Sequence, residues 1–530
     1  MKHWRITFLL LFLMAVSALA DTRYEGYYSV WASADRTDEQ WHFGMPSHYA
    51  EMKFITSHAE GLESYFRLRA NANSDDDRTI EAEYYTPPWI AAEGHIKYRT
   101  NNSETMFFSR QNHFWINDEP LFGLVNDWKL KNDNWGPQAQ GIKYEFWDRD
   151  IPLLGKWGGT VVYSDDGGTY NWGNDEVAAG VDSWIIRTRK NSWDDRIVGG
   201  LMFLRKDWTD TSSPENTGRL GLMYNQIYEA DIALFPRDLM KNGLSFGPVD
   251  LEQSRWTMEY AWSQVPYNES VYNTPTDHAY LFGAEVRDIH IGNFMVHGWF
   301  NNAGENFRDY MSSRYDDERQ YNQILKHAEA IYFVPRKAIT AKVSYDNRRL
   351  RIPDEVGHGL RPSEELYAEL YVEFINGFKG KTAYKQWHGF DADTDVNAYA
   401  TYPDLFGEIS VENFLAKIRL QFRLHDFNTF RESTAFGFDM NVNLTEKLKG
   451  YLRMLNASDT IESRQSAFAQ LKYDLGPGAE LYFEYGDPGQ SDGIVYTDWF
   501  ISAVDPDSGG RNPHDRILKN RLALSFRTWF

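Results

Sequence analysis

Basic side chains recur at alternate positions in the C-terminal third of the chain, where their spacing could place them on one face. The members are Lys417, Arg419, Arg423, Lys449, Arg453, Arg521 and Arg527. Arginine offers a planar fork of donors that matches a carboxylate, and rings of Arg and Lys select anions in pores. Acidic residues share that face and could neutralise it: Glu369, Glu373, Glu480 and Glu484. The pattern therefore predicts either an anion-attracting surface or an internally paired one.

A second group of candidates lies in the segment 111–137, which is rich in aromatic, Asn and Asp residues. It includes Phe114, Trp115, Phe122, Trp128 and Trp135. Aromatic faces combined with polar side chains suit sugar rings, which have apolar faces and hydroxyl edges. We interpret Trp115, Trp128 and Trp135 as sugar-contact candidates, with packing of the aromatic residues against each other as the alternative.

Patterns typical of catalysis or metal binding are weak. The run Gly243-Leu244-Ser245-Phe246-Gly247 matches a nucleophile elbow but lies in a Gly/Pro-rich connection, where a turn is the better interpretation. Clustered aspartates such as Asp391, Asp393 and Asp395 lack the rest of a calcium loop. The sequence contains no cysteine, so thiolate metal sites and disulfides are excluded. We expect no enzymatic activity, no cofactor and no metal.

The elements that carry these residues are predicted to be long amphipathic strands. In 415–425, Ile418, Leu420 and Phe422 alternate with Lys417, Arg419 and other polar residues. A period of two over ten residues indicates a strand with one apolar and one polar side. The same alternation occurs in 338–347, 365–375, 435–444 and 447–456.

Connections between these strands alternate between short and long. Tight turns are predicted at 335–337, 376–377, 444–446 and 476–478, and long polar loops at 301–326, 348–363, 388–403 and 487–515. The N-terminal half alternates less clearly; its best strand candidates are 23–33, 62–71, 104–110, 138–146, 157–163 and 197–205. The layout is typical of an all-β, single large antiparallel transmembrane barrel of about 24 strands, with a range of 18 to 26, and with both termini in the periplasm.

The two ends of the chain support a location in the outer membrane. Lys2 and Arg5, the apolar stretch 6–14 and Ala18-Leu19-Ala20 predict a signal peptide over 1–20, which leaves one barrel domain over 21–530. The last strand has Leu522, Leu524 and Phe526 on one face and ends at Phe530. It resembles the C-terminal assembly signal of bacterial outer-membrane barrels, which implies the barrel-assembly machinery as a partner.

Composition fits this assignment. Mean hydropathy is only -0.58, yet the chain has 19 Trp, 32 Tyr and 33 Phe. Alternating strands keep hydropathy low, while aromatic girdles lie at both membrane interfaces. A net charge of -21 argues against nucleic acid as a partner. Outer-membrane lipid and lipopolysaccharide are the expected surroundings, and a homo-oligomer is compatible with the sequence.

One local stretch resembles a known superfamily. Phe107-Phe108-Ser109-Arg110-Gln111 is similar to the strand end of alginate-export and other carbohydrate-selective porins, with Ser109 in place of their glycine. The resemblance implies a channel for carbohydrate.

We therefore expect an outer-membrane porin for passive passage of polar or anionic solutes, with oligosaccharide or uronate-like molecules favoured. The alternatives are a non-conducting barrel that binds surface polysaccharide, a barrel that sheathes a partner protein, and an outer-membrane hydrolase. A TonB-dependent transporter is disfavoured, because the strands begin almost at the mature N-terminus and leave no room for a plug domain.

Overall fold

The computed structural model describes most of the chain from residue 21 onward. The described residues are 21–37, 40–43, 47–72, 90–109, 122–125, 139–151, 155–166, 181–192, 197–208, 224–236, 245–265, 277–309, 311, 322–334, 338–350, 362–375, 377–390, 399–429, 432–458, 463–486 and 520–530. The predicted signal peptide, the sugar-contact candidates Trp115, Trp128 and Trp135, and most of the predicted long loops lie outside these residues.

The described residues form 27 strands. Those of the N-terminal half are β1 (Asp21–Thr37), β2 (Gln40–Phe43), β3 (Ser47–Ala59), β4 (Leu62–Ala72), β5 (Ile90–Arg99), β6 (Ser103–Ser109), β7 (Ala139–Ile151), β8 (Gly155–Asp166), β9 (Val181–Ser192), β10 (Ile197–Trp208), β11 (Tyr224–Leu234), β12 (Ser245–Phe246), β13 (Val249–Asp250) and β14 (Arg255–Val265). Those of the C-terminal half are β15 (Asp277–Ile291), β16 (Phe294–Ala303), β17 (Gln323–Val334), β18 (Ile339–Leu350), β19 (Ser363–Ile375), β20 (Phe378–Phe390), β21 (Tyr399–Glu412), β22 (Ala416–His425), β23 (Ser433–Asn443), β24 (Leu448–Ser458), β25 (Ser463–Gly476), β26 (Ala479–Gly486) and β27 (Asn520–Trp529).

The strands close into one barrel. The three shortest, β2, β12 and β13, are additions at the rim, and the other strands pair antiparallel with their neighbours around the wall. The first and last strands join through pairs such as Trp31 with Ser525 and Ser33 with Ala523, so the sheet has no free edge. The result is a closed barrel of 24 strands, which confirms the predicted fold class and strand number.

The two surfaces of the wall differ as the alternation predicted. On β22, the side chains of Ile418 and Leu420 are 37% and 55% exposed on the outside, whereas Gln421 and Arg423 are buried on the inside. Closed barrels with an apolar exterior cross lipid because every backbone group in the wall finds a partner. The chain is an outer-membrane β-barrel. In the described part of the chain, no helix is long and apolar enough to cross a membrane.

Tight turns lie at the end of the barrel where β27 finishes. β19 and β20 are joined at Gly377, which has a φ of +81° and whose Cβ, if present, would lie 2.1 Å from the Glu412 carbonyl oxygen. Glycine is therefore needed at this predicted hairpin. Three predicted loops are too long at both ends, because the ladders beside them extend further. Strands run to Ala303 and from Gln323 in 301–326, to Leu350 and from Ser363 in 348–363, and to Phe390 and from Tyr399 in 388–403.

Phe530 closes this end of the barrel. Its backbone N–H donates to the Gly26 carbonyl at 3.0 Å, and the Gly26 N–H donates to the Phe530 carbonyl at 2.6 Å. A Cβ at Gly26 would lie 2.1 Å from the Phe530 ring. The terminal aromatic residue thus packs on the first strand of the wall.

Candidate functional site on the inner face of the barrel

Two parts of the inner face differ in character, and we call them the apolar half and the charged half; the strands outside them also carry ion pairs, such as Lys53 with Glu51 on β3 and Lys143 with Glu145 on β7. The apolar half is a buried cluster on β6, β8–β11 and β14–β16. Its members are Phe108, Phe122, Leu124, Val125, Val162, Ile185, Met202, Leu204, Ile227, Ala261, Ala279, Leu281, Ala303, Phe307 and Met311. The strand residues point inward, since their neighbours Trp184, Ile186, Leu201 and Tyr228 are exposed on the outside.

Two segments outside the strands complete this apolar half. One is 122–125, which follows β6, and the other comprises residues 304–309 and 311, which follow β16. The backbone N–H of Phe122 donates to the Glu259 carboxylate at 3.1 Å, and that of Arg308 donates to the Ser263 hydroxyl at 3.2 Å. Asn225 donates its side-chain amide to the Arg308 carbonyl at 3.1 Å. We call these two segments the inner lining.

A buried ionic group lies in the wall of the same half. Arg187 on β9 places Nη1 2.8 Å from Glu229 Oε2 and 2.5 Å from Asp231 Oδ2, both on β11. A Cβ on Gly200 would lie 2.2 Å from the guanidinium, so the neighbouring strand leaves room for it. Buried ion pairs of this kind fix geometry more than they add stability, because the charges lose their hydration.

The charged half, β17–β27, contains the basic residues predicted from the sequence, and several lie next to acids. Arg419 Nη2 is 2.8 Å from Asp439 Oδ2, and Arg423 Nε donates to Asp404 at 2.9 Å. Lys417 Nζ is 3.6 Å from Glu412. The structure therefore pairs part of the predicted basic ladder with carboxylates on adjacent strands.

The other predicted basic residues have different surroundings. Arg453 is fully buried, with its guanidinium 5.6 Å from the Phe468 ring centre. Arg521 lies 4.2 Å over Trp31, and Arg527 lies 4.4 Å over Tyr482. Lys449 lies opposite Lys472 in the register of β24 and β25.

The predicted acidic residues also lie on this inner face. Glu369 is 2.8 Å from Lys381 Nζ, and Glu480 is 2.5 Å from Lys472 Nζ. Glu484 accepts from Gln470 Nε2 at 2.6 Å. Glu373 lies opposite Lys379 in the register of β19 and β20. Glu369 and Glu480 thus pair with lysines outside the predicted basic ladder, and Glu480 also lies opposite the ladder's Arg527 on β27. The choice between an anion-attracting face and an internally paired one stays a prediction.

A polar cleft of about 580 Å³ opens on the inner face between β22 and β27. It is lined by Arg419, Asn441, Tyr451, Gln470, Tyr482, Glu484 and Arg527. Sequence reasoning selected three of these, Arg419, Glu484 and Arg527, as pore-lining candidates. It missed the two tyrosines and two amides, although their positions on the polar side of alternating strands are the signal that could have found them.

Comparisons with known proteins give similarity in architecture only. No protein-family model matches the sequence, and no curated protein matches it significantly. Solved structures with similarity include the siderophore receptor PirA from Pseudomonas aeruginosa, at 10% identity and a TM-score of 0.44, with 96% of this chain and 80% of that one covered.

Two further barrels show the same level of similarity. The ferric enterobactin receptor PfeA from Pseudomonas aeruginosa has 10% identity and a TM-score of 0.44, with coverages of 96% and 82%. The translocation pore of the P pilus usher PapC has 7% identity and a TM-score of 0.43, with coverages of 96% and 99%. Similarity this low gives no basis for assigning a solute or a partner to this chain.

The cleft has the chemistry of a binding surface for a polar solute. Its arginines offer fork-shaped donors, its amides both donate and accept, and its tyrosines present ring faces with a polar tip. Among the described residues, no group of three or more His, Asp or Glu side chains is arranged to hold a metal ion.

Proposed function

We propose that this outer-membrane barrel is a channel for the passive passage of polar solutes, with oligosaccharides and uronate-like sugars favoured. The observation that carries the proposal is the polar cleft on the inner face, in which amides, tyrosines, two arginines and a carboxylate converge. The resemblance of Phe107-Phe108-Ser109-Arg110-Gln111 to carbohydrate-selective porins favours the same class of solute.

The charge pairing refines the choice of solute. Arg419 and Arg423 are matched by Asp439 and Asp404, so they add little net positive charge to the lumen. The Arg527 guanidinium lies over the Tyr482 ring, and Glu480, opposite it on β26, forms its ion pair with Lys472. A sugar with a single carboxylate fits this arrangement better than a small, highly charged anion, because it would use one cation and several hydrogen-bonding groups.

The inner lining favours a channel over a barrel that encloses another protein. The two segments of the inner lining occupy part of the lumen along the apolar half. They reduce the space for a folded partner, and they do not cover the charged half of the wall. In this proposal the cleft residues act by binding and not by catalysis, and the outer face contacts membrane lipid and lipopolysaccharide.

Reconstitution into liposomes tests the proposal. We expect the protein to admit neutral and acidic disaccharides, and the Arg527→Gln variant to slow the acidic sugar several-fold while changing the neutral one little. The physical reason is that glutamine keeps hydrogen bonding but removes the cation that a carboxylate would contact.

Tyr473→Ala supplies a control, because Tyr473 is exposed on the outer side of β25, the opposite side of the wall from the cleft residue Gln470. It should transport both sugars as the unmodified protein does. A barrel that assembles normally yet passes no sugar and shows no conductance steps in planar bilayers would contradict the channel, and would favour a surface-binding role.

A further inference from the structure

We infer that Gly283 on β15 is the contact on which the inner lining packs, which we call its seat. We also infer that Phe122, packed on this glycine, sets the largest solute that the pore admits. The inference rests on the proposed channel function where it concerns solute size. Its structural part, the seating of the lining, stands on contacts within the described residues alone.

Gly283 is shaped to receive the Phe122 ring. A Cβ at this position would lie 2.3 Å and 2.7 Å from two ring carbons of Phe122. Both distances are far inside van der Waals contact, so any other residue at 283 must displace the ring. Glycine within a strand weakens the strand and commonly marks a place where another part of the chain approaches closely. The close approach of the Phe122 ring explains why residue 283 is a glycine.

Wall side chains hold the lining through its backbone as well. Glu259 on β14 accepts the Phe122 N–H, and Ser263, four residues along the same strand, accepts the Arg308 N–H. Both wall residues are almost fully buried. A carboxylate and a hydroxyl facing an open, water-filled lumen would need no such partners, whereas buried ones require them. The inner surface of β14 therefore requires the lining over it to satisfy its buried polar side chains.

Buried apolar side chains of the inner lining keep it packed on the wall. Phe122, Leu124, Val125, Phe307 and Met311 are all buried in the cluster. Releasing the lining would expose all five to water together, along with the wall residues beneath them, so permeation of a weakly bound sugar cannot supply the free energy to move it. The lining is a fixed part of the wall.

The place of the inner lining on the barrel wall makes it important for the size of the pore. A barrel of 24 strands encloses a wide lumen unless something fills it. The lining packs against the side formed by β6, β8–β11 and β14–β16, and the polar cleft lies elsewhere around the wall, on β22–β27. Solutes are thereby confined to a passage along the charged half, and its width depends on how far the lining projects.

The test uses a cysteine reporter, which has no background because the chain contains no cysteine. Leu124→Cys places a thiol where the native side chain is fully buried. In the assembled barrel we expect this thiol to react slowly with a water-soluble maleimide. Adding Gly283→Leu should displace the lining, raise the labelling rate at least tenfold, and admit longer oligosaccharides in liposome uptake. Gly407→Leu is the control, since the nearest atom to a Cβ there is Phe422 Cδ1 at 4.0 Å.

The two readouts separate the inference from the channel proposal. Faster labelling with an unchanged size limit would overturn the inference and leave the channel intact. A labelling rate that Gly283→Leu leaves unchanged would show that Gly283 does not hold the lining in place. If no variant, including the unmodified protein, admits sugar, the channel proposal fails while labelling still reports the seat. Should Gly283→Leu not assemble, Phe122→Ala removes the ring without a clash and must move both readouts in the same direction.

Discussion

The apolar and charged halves of this barrel share one kind of outer face and differ in what most of the inner face is made of. Leu201 on β10 and Leu420 on β22 are exposed to the same surroundings outside. Inside, β10 contributes Met202 and Leu204 to a packed cluster, whereas β22 contributes Arg419 and Arg423 to ion pairs. Lipid dictates the outer face everywhere, while the inner face is free to become either core or solute-facing surface.

The largest expected effect comes from breaking the buried ionic group of the apolar half. Arg187→Gln leaves Glu229 and Asp231 buried without their cation, which should destabilise the barrel by about 3–5 kcal/mol. The matched change in the charged half, Lys381→Gln, removes the partner of Glu369 at a partly hydrated site, and should cost at most about 1 kcal/mol.

Urea unfolding in detergent, followed by the heat-modifiable shift in gel mobility, measures both variants. Similar losses for the two would show that the burial of the ion pair does not decide how much stability is lost with the cation.

An intermediate effect is expected on the outer face, and it should be the same in both halves. Leu201 and Leu420 are each the fifth residue of their strand, on β10 and β22. Replacing either with Arg puts a charge against lipid, which costs about 2–4 kcal/mol near the bilayer midplane. We expect equal losses of unfolding free energy in lipid vesicles. A much smaller loss for one of them would mean that its half of the wall is covered on the outside.

The smallest effect concerns ion selectivity within the charged half. Removing the buried pair with Arg423→Gln and Asp404→Asn leaves the net charge of the lumen unchanged, so the reversal potential in a planar bilayer should stay where it is. Arg527→Gln removes a positive charge whose opposite neighbour, Glu480, is already paired with Lys472, and should move selectivity toward cations by a few millivolts at low salt. Screening over about 8 Å at physiological salt should abolish that shift.

An equal shift in reversal potential from the double variant Arg423→Gln, Asp404→Asn would contradict the neutrality of the ion pairs. The basic ladder would then act as a set of separate charges.

The same comparison explains what the sequence could predict. The alternation in 415–425 and in 365–375 is clear because those strands have lipid on one side and hydrated charges on the other. In the apolar half this contrast disappears. Ile185 and Leu204 face the cluster, whereas their chain neighbours Ile186 and Phe203 face lipid. Both faces are then apolar, which is why the N-terminal strands were difficult to recognise from their pattern.

Prediction of the site was limited by contacts between distant parts of the chain. Arg419, Glu484 and Arg527 could be chosen because charge on the polar side of a strand is visible locally. Phe122 was counted among aromatic residues that suit sugars, but it is buried against Gly283, a residue far away in sequence. No local pattern shows that a wall glycine and a loop phenylalanine belong together.

The contact between Phe530 and Gly26 has a consequence for how the barrel is made. The seam between β27 and β1 joins residues at opposite ends of the described chain, such as Trp31 and Ser525. Closing it requires ordering almost the whole polypeptide first, and such distant pairings form slowly compared with hairpins between neighbours. Until the terminal ring settles on the first strand, both edge strands present unsatisfied backbone groups. The seam is therefore the last part of the wall to form and the point at which newly made chains are most prone to pair with each other.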